Sequence, residues 1–227
     1  MKSTRGQISL GDKNKQLDDI AYVVIDTELT GLDAKRDSIV SVGAIKMIGG
    51  RIEIGKSFYK LVNPESALTA ESVIIHEITP SEVKHKPDIA SVLSEFLEFC
   101  GDDVIVGYCT SIDMEFLNRE TKRSIGTKIK NPVVDIQAIQ IWLSLWSRWE
   151  ITWPNEYRLY DIAKHFEISV NGAHNAIGDA FITAQIFQRF IPMLIEAEIR
   201  SIGDLLKLSN KYEGGDRSTI DRSIFYH

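Results

Sequence analysis

Residues 20–32 read IAYVVIDTELTGL, and this stretch decides the fold. The run Ile20–Ile25 is continuously apolar and rich in β-branched residues, the mark of a strand covered on both faces. It ends on Asp26 and Glu28, and a spacing of two puts both carboxylates on one face of the strand. Side by side they repel, and a buried charge is costly unless it is paired or bound to metal. Something cationic is therefore expected between them; an exposed acidic turn after a strand is the other reading of the same two residues.

Working outward, Ile39–Ile48 and Ile52–Val62 are two further strand-like runs joined through Gly49-Gly50, a hairpin signal. Thr79-Pro80-Ser81-Glu82 reads as a helix start, with Thr as N-cap, Pro in the first turn and Glu three residues on. Pro87–Phe99 carries Ile89, Val92, Leu93, Phe96 and Leu97 at helical spacing. Val104–Val106 is a short buried strand with a helix after it from near Ser111. Val133-Val134 is a minimal strand before a helix from about Ile136 to Trp149. Helices over Leu159–Phe166 and Asn175–Ala197 complete one α/β domain, a mixed sheet with helices packed on it. Residues 19–208 form this domain, residues 1–18 a flexible N-terminal arm, and residues 209–227 a C-terminal tail.

The chain has 227 residues and a mass of 25.6 kDa, a generous single α/β domain. With 26 basic and 32 acidic side chains its net charge is −6, which argues against a protein that coats nucleic acid by neutralising phosphates. An enzyme that meets a few nucleotides at an acidic, metal-filled site stays open, since bound dications reverse the local field. The two cysteines, Cys100 and Cys109, form no CxxC pair and cannot staple a chain of this size, so a reducing cytoplasm is expected. The polar N-terminus and the lack of a long apolar run predict no signal peptide and no membrane partner.

Three more residues carry chemistry. Asp113 falls in the first turn of its helix, where it also complements the helix dipole. His174 lies just before the last helix, and Asp179 one turn inside it. Five residues apart, they do not stack on one helical face; the His can swing from the loop while the Asp projects from the helix. An Asp among Ala and Ile on an apolar helix demands a partner. Each piece stands at the end of an element near the sheet, where α/β sites are built. Four carboxylates and one His make up the constitution of a two-metal phosphodiester hydrolase.

These residues resemble the DnaQ-like (DEDDh) 3′→5′ exonucleases of the ribonuclease H-like superfamily, and the chain is similar to the proofreading epsilon subunit of bacterial DNA polymerase III. The resemblance covers about Ala21 to Phe190. It includes all five defining positions in family order, together with TGL at Thr30–Leu32, HEITPSEV at His76–Val83, VVD at Val133–Asp135 and NAIGDAFITA at Asn175–Ala184. It implies a five-stranded mixed sheet in the order 3-2-1-4-5. It also implies two Mg²⁺ or Mn²⁺ ions: Asp26 bridging both, Glu28 and Asp179 completing the first site, Asp113 holding the second. His174 would be the general base, and Thr27, Leu29 and His76 would line the 3′-terminal nucleotide. The expected substrate is a single-stranded 3′ end, DNA ahead of RNA, with RNA trimming or a polymerase- or clamp-tethered subunit as alternatives. The chain departs from the family in two places that border that nucleotide. Leu29 stands where many members have Thr, which resembles the oligoribonuclease branch with its larger apolar residue at this place, and Cys109-Thr110-Ser111-Ile112 stands where Asn-Ala-Ser-Phe is frequent.

All four tryptophans, Trp142, Trp146, Trp149 and Trp153, fall at intervals of four, three and four, one helical stripe. Core packing, a homodimer contact and base stacking are the three readings of it. Gln7-Ile8-Ser9-Leu10 loosely resembles a sliding-clamp docking peptide but lacks its closing apolar residue. Lys122, Arg123, Lys128 and Lys130 are candidates for a basic track, or simply a solvated face.

Overall fold

A computed structural model describes residues 13–146, 158–172 and 174–212. Five strands, β1 (Ala21–Leu29), β2 (Ile39–Ile48), β3 (Arg51–Leu61), β4 (Val104–Gly107) and β5 (Val133–Asp135), form one mixed sheet in the order β3-β2-β1-β4-β5. This is the expected 3-2-1-4-5 order. β1 pairs antiparallel with β2 and parallel with β4, which in turn runs parallel to β5. The Gly-Gly hairpin forms as read: Ile48 faces Arg51 across it, and Gly49 takes the left-handed conformation such a loop needs (φ 52°). The first strand is longer than its apolar run, so Asp26 and Glu28 are paired inside β1 and are not in a turn after it.

The helices are α1 (Ala70–His76), α2 (Pro80–Val83), α3 (Ile89–Cys100), α4 (Ser111–Ile125), α5 (Ile136–Trp146), α6 (Leu159–His165), α7 (Ala176–Glu196) and α8 (Ile202–Tyr212). The Thr79 capping box is present, its main-chain N–H donating to the Glu82 carboxylate at 2.8 Å, but it opens a helix of only four residues. Two helices escaped the sequence reading. α1 is short and carries Ile74 in full solvent view, so it lacks a clean apolar face. α8 packs on α5 and β5 and carries the described chain past residue 209, where the tail was expected to begin; Ser209 itself is fully buried. At the other end Leu17, within the expected arm, is also fully buried, and its N–H donates to the Arg200 carbonyl at 3.0 Å.

Two apolar layers sandwich the sheet. Tyr22 and Val24 of β1 join the residues of α5, α7 and α8 on one face, while Val23 and Ile25 join α3 and α4 on the other. Trp142 packs against the first layer and stacks on Trp146 at a ring-centroid distance of 6.2 Å; Trp149, Trp153 and the Gln7–Leu10 segment lie outside the described residues. Among the described residues no helix is long and apolar enough to cross a membrane.

The first turn of α7 lies directly on β2. A Cβ placed on the buried Gly43 would fall 2.2–2.4 Å from main-chain atoms of Ala176 and Ile177, so no side chain fits there. Gly43 is the β2 partner of Asp26 in the antiparallel register. Gly43→Ala is thus expected to destabilise the protein by about 1–3 kcal/mol, the usual range for overpacking a core, measured by urea unfolding. A stability equal to wild type would show that α7 does not depend on this contact.

Candidate active site

Alternation along β1 divides the site between the two faces. Asp26 and Glu28 continue the face of Tyr22 and Val24, toward α7; Thr27 and Leu29 continue the face of Val23 and Ile25, toward α4. α7 supplies Asp179 from its first turn. The Asn175 side chain caps this helix by accepting from Gly178 N–H at 2.9 Å, and its amide donates to the Gly172 carbonyl at 2.6 Å. Asp26, Glu28 and Asp179 each offer a carboxylate oxygen, and all three oxygens lie within 4.8 Å of one another.

Asp113 approaches from the α4 side and accepts a 2.5 Å hydrogen bond from the Thr27 hydroxyl. The turn that launches α4 is gripped by a second buried carboxylate, Asp135 at the end of β5. It accepts from Cys109 N–H (3.1 Å), Thr110 N–H (2.9 Å), the Thr110 hydroxyl (3.2 Å) and Gln137 N–H (2.8 Å). These bonds hold Cys109 in the left-handed region at φ 52°. The Asp135 N–H in turn donates to the Ser209 hydroxyl of α8 at 3.0 Å.

All eight sequence-predicted residues, Asp26, Thr27, Glu28, Leu29, His76, Asp113, His174 and Asp179, line one cavity of about 340 Å³. Arg158 and Lys164 of the α6 region line it as well. Of the basic residues proposed as a track, Lys122, Arg123, Lys128 and Lys130, none lines it, and Arg123 is ion-paired with Glu65 and Glu120. The cations that face the cavity come from a part of the sequence that carries no basic run.

Electrostatically the cluster is unfavourable as it stands. Burial, with the charges of Asp113, Asp179 and Glu28 added, pushes Asp26 well above the ordinary carboxylate range. Burial and the neighbouring Asp179 and Asp113 charges push Glu28 up to about 8. Asp113 rises to about 7 through burial, against the pull of its Thr27 hydrogen bond, and Asp179 to about 6 against that of Tyr160. Crowded hard oxygens whose charged forms repel one another are a donor set suited to divalent cations. The residues present fit a metal centre.

One feature of the site was not legible from the sequence. Tyr160 in the first turn of α6 places its hydroxyl 2.9 and 2.8 Å from the two Asp179 carboxylate oxygens and accepts the His174 main-chain N–H at 3.1 Å. An aromatic residue at a helix start reads as packing, and nothing in its neighbours marks it out. Asp135 did carry a signal, an acid closing an apolar strand, the same as Asp26. His76 is 3% exposed; its Nδ1 accepts the Ile78 N–H at 3.0 Å, so Nε2 carries the ring hydrogen, and that atom has no hydrogen-bond partner among the described residues. Burial lowers the His76 pKa, which keeps the ring neutral.

Comparison with known proteins agrees with the geometry. The exonuclease family model of the RNase T type matches residues 23–187. The chain is 33% identical over 215 residues to DNA polymerase III subunit epsilon of Aquifex aeolicus, covering 94% of this chain and 99% of that protein. It is 32% identical over 220 residues to DNA polymerase III PolC-type of Oceanobacillus iheyensis, where it spans 97% of this chain but only 14% of the much longer relative. The fold matches Escherichia coli exonuclease I, solved in complex with a dT13 oligonucleotide, at a TM-score of 0.69 and 19% identity, covering 78% of this chain and 43% of that one. A five-stranded 3-2-1-4-5 sheet, a cluster of acids at the end of its central strand and the family match over most of the chain lead to one assignment: the chain belongs to the exonuclease family, as a DnaQ-like 3′→5′ exonuclease.

Proposed function

We propose that this exonuclease removes nucleoside monophosphates from single-stranded 3′ ends, DNA ahead of RNA, with two divalent cations, Mg²⁺ or Mn²⁺, and His174 as general base. The observation that carries the reading is the set of three carboxylate oxygens within 4.8 Å, in a cavity that also contains Asp113 and His174. Asp26, Glu28 and Asp179 would hold one ion, and Asp113, with Asp26 between, the other. Ions so held supply Lewis acidity toward the scissile phosphate and its attacking water.

The chain's own residues do the rest. His174, exposed at the cavity rim, takes a proton from water as the new P–O bond forms; the O3′ of the penultimate nucleotide leaves and is protonated in turn. The cavity has the volume of a small-ligand pocket, and Leu29, Ile75 and Ile112 give it apolar walls suited to a base. His76 Nε2–H, a buried donor without an acceptor among the described residues, and Thr27 are polar groups suited to the terminal nucleotide. Arg158 and Lys164 suit its phosphate despite the acidic whole. The preference for DNA is supported by the name of the A. aeolicus relative, a DNA polymerase subunit that this chain matches nearly end to end; the same match supports a second reading, a subunit docked on a polymerase. Co-purification with a polymerase catalytic subunit would decide for the latter. The buried, unbridged Cys100 and Cys109 suit the cytoplasm.

Stepwise shortening of 5′-labelled single-stranded DNA, duplex DNA and RNA, compared side by side, measures the substrate order. Asp26→Ala is expected to abolish digestion with the fold intact, and His174→Ala to lower kcat by about 10²–10⁴. Full activity in either variant would refute its assigned role.

The raised carboxylate pKa values also set a stability profile. The folded cluster holds its protons to higher pH than the unfolded chain does, so the metal-free protein loses stability as pH rises from the ordinary carboxylate range, about 4, through about 8. Thermal unfolding in EDTA is therefore expected at a lower temperature at about pH 8.5 than at about pH 5.5, and Glu28→Gln should raise the high-pH value. Mn²⁺ should raise Tm more at the higher pH, because deprotonated ligands bind it. A metal-induced shift independent of pH would overturn this account.

A further inference from the structure

Tyr160 has no place in the five-residue set, yet it touches two of its members. Its hydroxyl lies within 2.9 Å of both Asp179 oxygens, 3.1 Å from the main-chain nitrogen of His174 and 3.4 Å from Nδ1 of the same residue. The two rings meet edge to face, with centroids 4.9 Å apart and an interplanar angle of 73°. His174 itself is exposed and sits at φ 64°, one residue before the Asn175 cap. A loop residue in this strained region of backbone space needs outside support to hold one conformation.

The hydrogen bookkeeping of a phenol fixes the polarity of this junction. The hydroxyl has one hydrogen, and its shortest contacts, 2.9 and 2.8 Å, are to the two Asp179 carboxylate oxygens that accept it. The hydrogen therefore goes to Asp179, and the oxygen turns its lone pairs toward His174. The main-chain N–H of His174 takes one of them. At Nδ1 only an N–H is compatible with what remains, since a bare nitrogen would face a bare oxygen. An imidazole with hydrogen on Nδ1 has its free lone pair on Nε2.

We propose that Tyr160 is a positioning residue: its hydroxyl ties Asp179 to His174 and selects the imidazole tautomer that leaves Nε2 bare. This rests on the reading of His174 as general base. The arrangement follows a general rule, that groups which orient a ligand or a base from behind contribute through geometry and tautomer without touching substrate. The Tyr–Asp–His contact joins α6 to both ends of the segment that opens α7, so one hydroxyl sets the spacing of a metal ligand and a base.

The test is Tyr160→Phe, which keeps the ring and its contact with the His174 ring. kcat is expected to fall by about 10–100-fold, the usual cost of losing an orienting partner, with KM for the oligonucleotide within about 2-fold of wild type. Nitrogen-15 NMR of the metal-free protein supplies a readout independent of turnover. The His174 ring, assigned by its absence from His174→Gln, should carry hydrogen on Nδ1 in the wild type and shift toward Nε2–H in Tyr160→Phe. A wild-type ring protonated on Nε2 would overturn the proposal whether or not the variant folds, and so would a kcat for Tyr160→Phe within about 2-fold of wild type. If Asp26→Ala digests DNA as the wild type does, the exonuclease reading of the site falls while the tautomer measurement still stands or fails by itself.

Discussion

Mutual repulsion among buried carboxylates, held in check by the close approach of α7 to the sheet, is the constraint on which the site depends. Asp26 and Glu28 come from a strand whose residues Tyr22, Val23, Val24 and Ile25 are core. Asp179 comes from a helix more than a hundred residues later, and it reaches them because Gly43, opposite Asp26, leaves room for the backbone of Ala176 and Ile177. Left alone, three acids would part or take up protons. The packing of β1, β2 and α7 forbids the first, and the raised pKa values record the second. Stability is lower for it, as is usual where a fold holds a functional site together.

Strand parity explains why the site has two halves. Because side chains alternate across β1, the segment Asp26–Leu29 sends carboxylates toward α7 and Thr27 and Leu29 toward α4. Thr27 then meets Asp113 on its own side, while Asp26 and Glu28 meet Asp179 on the other. One four-residue segment therefore addresses both faces of the sheet, with one half built of charge and the other of hydrogen bonds and apolar contact.

Much of this was legible in the sequence. The β-branched run and the Gly-Gly hairpin marked the strands they form, because each is a local signal with a local cause; the 3-2-1-4-5 order followed from the family resemblance, and the acids and the histidine it picked out line one cavity. What stayed hidden was whatever depends on long-range packing. α8 went unread, its last residues from 209 on assigned to the tail, because only one narrow side of it is apolar, and that side finds α5 and β5. Tyr160 reads as a packing aromatic because its partners, Asp179 and His174, are distant in sequence and the hydroxyl's role exists only in three dimensions. Arg123, which looks like a member of a basic track, is instead held by Glu65 and Glu120. Residue type alone does not reveal whether a charge is already matched.

The Asp135 junction extends the reach of the site well beyond the cleft. Its carboxylate grips the turn that carries Asp113, and its main-chain N–H is anchored on Ser209, so a hydroxyl on the last described helix stands two links from Asp113. The placement of Asp113 is thus partly set by a helix distant from it in sequence. A change in α8 that displaces the Ser209 hydroxyl therefore loosens an anchor of the turn that carries Asp113, even though no residue of that helix lines the cavity.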